Sequence, residues 1–311
     1  MNAGTTSAWQ PQREIQIIAG TPRGAGLDRT ARALATALES TGALDVPVKV
    51  INMPGDASRK IWKHLDRHPG DPHVLVITSP NVTTDYLTGL SAFDHDSYTP
   101  LAILHDEYLS FVVRADSTIT GGASLIDRLR VDAGSVNAAV ATSLGNPNHV
   151  ALAKVTAQAG GNTRALKVFA FDSARDAIDN VMAGGTDLAV ISAASAVPEL
   201  TAGTMRALAV AASTRLGGCY AQAPTWLEQG IDCALSVWRG ADGASGLAAP
   251  EISFWNQAMA SATASDTWRT AIERGFWSPL YLDGKNLHER LARERAEMQS
   301  ILSELELLRI S

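Results

Sequence analysis

The stretch Ile15-Gln16-Ile17-Ile18-Ala19-Gly20-Thr21-Pro22-Arg23-Gly24-Ala25-Gly26-Leu27-Asp28 decides how the rest of the chain is read. Residues 15–19 form a short apolar run of the length of a buried strand, and residues 21–26 form a turn. Leu27, Ala31, Leu34, Ala35 and Leu38 then recur at i, i+4, i+7, i+8 and i+11, which is one apolar face of a helix. Gly42 stops that helix. A strand passing through a glycine turn into a helix opens a βαβ unit, so the chain is expected to fold as α/β with mostly parallel sheets flanked by helices.

The same exchange repeats outward. Strands are expected at 46–51 and 74–78 with a helix at 58–67 between them, so the chain up to about residue 90 forms one βαβαβ body. After apolar runs at 101–104 and 109–113 a second series begins: a helix near Leu125, strands at 136–140, 166–171, 188–191 and 206–212, and helices at 147–158, 174–182 and 194–200. No Pro/Gly/Ser linker isolates this second body, and short connections favour two lobes joined by strands. The expected division is 1–108 with 236–311 as a discontinuous first lobe and 109–235 as the second. The hinge crossings are placed near 106–115 and 213–240. From Asn286 the tail carries Leu287, Leu291, Met298, Ile301, Leu302, Leu305 and Leu308 at helical spacing, a last amphipathic helix expected to pack on the first lobe.

Composition narrows the function. With 311 residues, 46% of them apolar, there is ample material for two cores. Asp and Glu number 32 against 26 Lys and Arg, a net charge of −6 without any run of five or six like charges, so no nucleic-acid footprint is visible. No apolar run approaches the roughly 18–20 residues of a membrane helix, and the chain reads as soluble rather than membrane-spanning. Residues 1–10 carry no positive stretch followed by an apolar one, so a secretory signal is expected to be absent or already removed. Cys219 and Cys233 lack metal-ligand spacing; a local disulfide between them is open, depending on an oxidising compartment. No cofactor or metal is expected.

The chemistry lies in loops. In 21–28 the glycines let a ligand approach the backbone, and the start of the following helix offers unpaired N–H groups, an anion site in outline. As a dinucleotide fingerprint the loop fails, because Arg29 stands at the third glycine position and the second strand ends in Asn52 rather than an acidic residue. Asp28 reads as a first-turn partner of the helix dipole. Other strand ends open onto Ser79-Pro80-Asn81, Thr142-Ser143-Leu144-Gly145-Asn146, Asp172-Ser173 and Ser192. These side chains read either as helix N-caps or as cleft donors at the carboxyl ends of the strands.

Enzyme signatures are weak. Gly243-Ala244-Ser245-Gly246-Leu247 lacks the last glycine of a nucleophile elbow, and neither a phosphate-binding Lys-Ser/Thr loop nor an H-E-x-x-H occurs. His68 and His73, with Asp71 between them, read as solvated turn residues before metal ligands.

In the order and spacing of several segments the sequence resembles the periplasmic substrate-binding proteins of tripartite tricarboxylate transporters, the TctC or Bug family. The segments are Gly24-Ala25-Gly26-Leu27-Asp28, Thr41-Gly42-Ala43, Asn52-Met53-Pro54-Gly55, Val112-Val113-Arg114-Ala115-Asp116-Ser117, Ser143-Leu144-Gly145, Val168-Phe169-Ala170-Phe171-Asp172, Arg206-Ala207-Leu208-Ala209-Val210 and Pro224-Thr225. The second and third are more similar to the tricarboxylate-binding branch. The resemblance implies a two-lobed Venus-flytrap fold of type II that closes on a small organic acid and hands it to membrane permease subunits, with no catalysis, acting as a monomer in the periplasm.

Carried over residue by residue, the resemblance puts Gly24, Ala25, Gly26 and Ser79 on the first wall of a carboxylate site. Ser143, Gly145, Asn146, Phe171, Asp172 and Ser173 form the second wall, with Arg239 near the last crossing. Three residues depart from the family pattern: Arg23 for a usual proline, Arg175 for a glycine and Pro147 for a small polar residue. Arg23 reads equally as a clamp for a further carboxylate, counted with the site, and as a solvated charge; Arg175 reads as the latter. Two rival functions remain: an α/β enzyme, for which His149 would have to reach Ser143, and a receptor of the same fold that signals.

Overall fold

The computed structural model describes residues 9–309. Residues 1–8, where most of the expected N-terminal leader reading falls, and 310–311 lie outside the described residues. The elements in chain order are β1 (Ile15–Ala19), α1 (Gly26–Ser40), β2 (Val48–Asn52), α2 (Lys60–Leu65), β3 (Val74–Thr78), α3 (Asn81–Leu87) and β4 (Thr99–Arg114). Then follow α4 (Gly122–Asp132), β5 (Asn137–Ala141), α5 (Pro147–Gln158), β6 (Lys167–Phe171), α6 (Ala174–Met182), β7 (Leu188–Ser192), α7 (Ala193–Thr201) and β8 (Met205–Val210). The chain closes with β9 (Ser236–Gly243), α8 (Ala249–Ala264), α9 (Asp266–Gly275), β10 (Trp277–Leu282) and α10 (Gly284–Glu304).

Two α/β lobes share one long strand. In the first, β2, β1 and β3 run parallel, β9 lies antiparallel between β3 and β4, and β10 pairs with β4. In the second, β6, β5 and β7 run parallel, and β4 is antiparallel to β7 and β8. β4 therefore belongs to both: Thr99 to Tyr108 pair with β9, and Leu109 to Arg114 pair with β7 or β8. The apolar runs at 101–104 and 109–113 are thus one strand of 16 residues. The polar residues His105, Asp106 and Glu107 between them had disguised its continuity.

Every residue of β3 is buried, as suits a strand covered on both faces. Ile61, Trp62 and Leu65 of α2 and Leu34 and Leu38 of α1 belong to the same core, joined by Trp255 and Met259 of α8 and Trp268 of α9. Helices α8 and α9 have no counterpart in the sequence expectation. The second core gathers Leu125, Val140, Val150, Leu152 and Trp226.

The last helix corrects the sequence reading. At 21 residues it is about 32 Å long, enough to cross both lobes. Leu287 and Leu291 pack with Ile103 and Trp238, but Met298 and Leu302 belong to the second core. The disulfide left open between Cys219 and Cys233 is not formed here, and both cysteines are free. Cys233 is sealed in the second core, whereas Cys219 packs at the edge of a separate cluster with Tyr220 and Phe276. Among the described residues no helix is long and apolar enough to cross a membrane, and no three His, Cys, Asp or Glu residues gather as metal ligands.

Candidate functional site

The carboxyl ends of β1, β3, β5, β6 and β7 open onto one cavity of about 570 Å³. Its first wall is the start of α1. Gly24 has φ +85°, a left-handed conformation that favours glycine, and its N–H donates to Asp28 Oδ2 at 2.7 Å. The same buried carboxylate accepts from Arg32 Nε at 3.0 Å and Asn52 Nδ2 at 2.8 Å. Burial alone would raise the Asp28 pKa, but these donors outweigh it and hold it below the ordinary value. Asp28 is thus a brace for the loop.

Ala25 precedes α1 without a side-chain cap, and among the described residues the amides of Gly26, Leu27 and Asp28 have no acceptor. Unpaired N–H groups at the positive end of a 15-residue helix suit an anion.

Beneath them lies a charged group that sequence reasoning had not assembled. Glu107 of β4 is wholly buried, with Arg239 Nη2 2.5 Å from its Oε2 and Arg29 Nη2 3.6 Å from its Oε1. Burial would raise the Glu107 pKa; Arg239 first and Arg29 second outweigh it and keep the acid below its usual range. Two guanidiniums against one carboxylate leave an excess of one positive charge. Arg29 Nη1 donates to Gly24 O at 2.9 Å, but Arg29 Nε and Nη2 and Arg239 Nε are buried without a hydrogen-bond partner among the described residues. Unmade bonds of this kind cost about 1–3 kcal/mol each, more for charged groups, so ligand oxygens are favoured here. His105 next along β4 shares a 3.0 Å hydrogen bond with Thr30 Oγ1; burial lowers its pKa to about 3, so it stays neutral.

The opposing wall starts with α7. Ser192 stands at its N-cap position without capping it, its hydroxyl 2.9 Å from that of Ser195, and Ala194 and Ser195 line the cavity. Asn146 lines it too, but as the cap of α5: Oδ1 accepts from His149 N at 3.0 Å and Nδ2 bonds the Ala141 carbonyl. Ser173 caps α6 and also donates to Asp176 Oδ2 at 2.6 Å. Beside the glycine loop, Asp56, Ala57 and Ser58 take φ of +52°, +47° and +76°, and the last two line the cavity.

Of the residues expected at the site, the cavity brings together Arg23, Gly24, Ala25, Gly26, Ser79, Asn146, Asp172, Ser173 and Arg239. Three lie elsewhere. Ser143 donates to Asp85 Oδ1 at 2.9 Å and is buried in the seam between the lobes. Gly145 packs in the same seam, where a Cβ would come within 2.9 Å of Thr88 and 3.1 Å of Leu302. Phe171 packs on the cluster of Ile178 and Val181.

Arg23 is exposed at the cavity edge, while Arg175 is held by Asp179 and Glu199. His149 Nδ1 accepts from Gly145 N at 3.0 Å, so neither it nor Ser143 is directed at the other. The missed residues are Arg29, Glu107, Asn148 and Ser195. The polar interruption at 105–107 within an apolar strand was the one signal that could have found Glu107.

Two α/β lobes sharing a strand, with helix starts from both opening on the cavity between them, define the class of two-lobed periplasmic binding proteins. The family model "TctC: Tripartite tricarboxylate transporter family receptor" matches residues 31–307, and the chain belongs to that family. Receptors of this family are periplasmic solute-binding proteins that serve a membrane transporter. No curated protein matches the chain.

Among solved structures it is similar to a TctC solute-binding protein from Polaromonas at 24% identity and TM-score 0.69, covering 95% of this chain and 99% of that one. It is similar to MatC from Rhodopseudomonas palustris with bound malate at 19% identity and TM-score 0.78, covering 94% and 99%. An adipate-bound protein of R. palustris aligns at 17% identity and TM-score 0.84, covering 96% and 99%. At these identities the similarities establish the fold.

Proposed function

We propose that this chain is a periplasmic receptor that clamps a small organic acid between lobes formed by 1–108 with 236–311 and by 109–235, and delivers it to the permease subunits of a tripartite tricarboxylate-type transporter. The observation that carries this reading is the unpaired amides of Gly26, Leu27 and Asp28 beside the net-positive Arg29–Glu107–Arg239 group in one cavity. Gly24, Ala25, Gly26 and Ser79 supply the first wall; Asn146, Asp172 and Ser173 contribute to the second, and Arg239 to the floor. The malate and adipate in the two R. palustris structures support the ligand class. The net charge of −6 does not oppose it, because charges beyond about 8–10 Å are screened while the local field of amides and guanidiniums is not.

A thermal-shift screen of organic acids tests the proposal. Free acid at a hundredfold its Kd adds about 2.7 kcal/mol to stability. No shift with any di- or tricarboxylate would refute the ligand class.

A further inference from the structure

We infer that Arg29 is the residue by which this receptor distinguishes a dianionic solute from a monoanionic one, with Glu107 as the positioning residue that sets the excess charge of the floor at one. The inference rests on the reading of the cavity as a carboxylate site and deepens it.

Glu107, fully buried, can neutralise one guanidinium, and its contacts are unequal. Arg239 is hydrogen-bonded to it at 2.5 Å; Arg29, at 3.6 Å, is near enough for attraction but makes no hydrogen bond. Arg29 Nε and Nη2, two adjacent donors of a planar fork that matches the two oxygens of a carboxylate, are buried and make no hydrogen bond among the described residues. Nη2 faces Glu107 Oε1, which is also without one, and a small turn of the guanidinium brings the fork to the cavity it already lines. The amides at the start of α1 already suit one carboxylate, so the fork is available to a second.

Charge elsewhere in the cavity fixes the direction. Arg175 is matched by Asp179 and Glu199, and Asp172 and Asp176 line the wall at the start of α6. A second carboxylate is repelled from that wall and drawn to the floor; Arg23, the other lining cation outside the ion pairs of the described residues, is exposed at the cavity edge, where solvent screens it. A monoanion fills the amide site and leaves the Arg29 donors unpaired.

Calorimetric titration of the full chain with two matched pairs, succinate against butyrate and adipate against hexanoate, tests this. The unaltered protein should bind the diacid of at least one pair about tenfold or more tightly than its monoacid. Arg29→Gln should weaken that diacid by about 10- to 100-fold, the range of a charge-assisted hydrogen bond, and weaken the monoacid much less, so that the preference for the diacid collapses. Arg29→Lys, which keeps the charge but not the fork, should fall between, separating charge from any disturbance of the Gly24 loop.

Equal binding of monoacid and diacid by the unaltered protein overturns the inference while leaving the receptor reading intact. So does an Arg29→Gln variant that weakens both members of a pair alike, because both groups then act on one carboxylate. Binding of neither pair also overturns it, and the organic-acid screen then decides separately whether the receptor reading stands.

Discussion

Ser143 Oγ donates to Asp85 Oδ1 at 2.9 Å, joining the loop after β5 to α3 across the seam between the lobes. Asn81 Nδ2, at the start of α3, donates to Thr142 Oγ1 at 2.9 Å beside it. The two bonds tie the lobes together, and because Asn81, Asp85 and Thr142 also line the cavity, they bear both on the equilibrium between open and closed forms and on the wall the solute meets.

Ser143→Ala should loosen that closure. Asp85 would be left with Arg59 at 3.4 Å as its remaining partner, and loss of a hydrogen bond to a charged group costs about 1.5–3 kcal/mol. Small-angle scattering should show a larger radius of gyration, and affinity for the organic acid should fall. Burial raises the Asp85 pKa, with Ser143 and Arg59 only partly opposing it. Its contribution to stability is therefore present in acid and lost as pH rises through the raised value. The Ser143→Ala defect should accordingly grow as pH rises above the ordinary carboxylate range; a defect independent of pH would contradict this account.

Glu107→Gln leaves two guanidiniums without their counter-charge. Removing one member of a buried ion group costs about 3–5 kcal/mol, so denaturant unfolding at pH 7 should move to a lower midpoint with an unchanged slope. A loss below about 1 kcal/mol would show that Arg29 and Arg239 are solvated rather than dependent on Glu107.

His105 and His149 are held neutral by burial, with pKa values lowered to about 3 and about 4. For a histidine whose folded pKa is depressed, stability is present above the unfolded value and lost as pH falls towards the folded one. Each should contribute a loss of about 2–3 kcal/mol between pH 6.5 and 4.5. Replacing His149 with Gln should flatten this part of the stability profile, which thermal melts at stepped pH would reveal.

Glu294 of α10 behaves in the opposite sense. Burial raises its pKa to about 7, against the Trp238 Nε1 bond at 2.6 Å, Arg290 at 4.0 Å and nearby His95. Stability is therefore full below pH 4.5 and lost as pH rises through about 7. Glu294→Gln keeps an acceptor for Trp238 and should raise stability at pH 8 by up to about 3 kcal/mol, with little effect at pH 5. A variant equally stabilised at both values would rule out this origin.

Gly20→Ala probes the turn beside the anion loop. A Cβ at Gly20 would sit 2.7 Å from Ser58 Cβ, forcing the left-handed turn at 56–58 to move. Overpacking of this kind costs about 1–3 kcal/mol, and because Ala57 and Ser58 line the cavity, solute affinity should fall together with the melting temperature.

The elements legible in the sequence are those with strong local signals. β1, β3 and β7 are short apolar runs, and α1 shows five apolar residues on one face. β4 was split in reading because Glu107 and His105 are buried by long-range pairing, and such pairing contradicts the rule that charge marks a loop. Helices α8 and α9 were passed over because part of their packing surface is Ala and Trp on the back of α1. Asn146 at the site and Ser143 beside it were legible as polar residues at strand ends, but their partners were not. A Ser or Asn at such a position serves equally as cap, latch or ligand donor, and only the identity of its neighbour decides.

By itself the sequence determined the α/β alternation, the glycine turn before α1 and the residue order that carries the family likeness. These depend on backbone preferences and on periodicity within a few residues. The tertiary structure alone decided that Arg29, Glu107 and Arg239 form one charged group, that Ser143 locks onto Asp85, that α10 spans both lobes and that the two cysteines stay apart. Each of these joins residues distant in the chain, and the energy of a buried charge or hydrogen bond depends on distance in space, which local sequence does not encode.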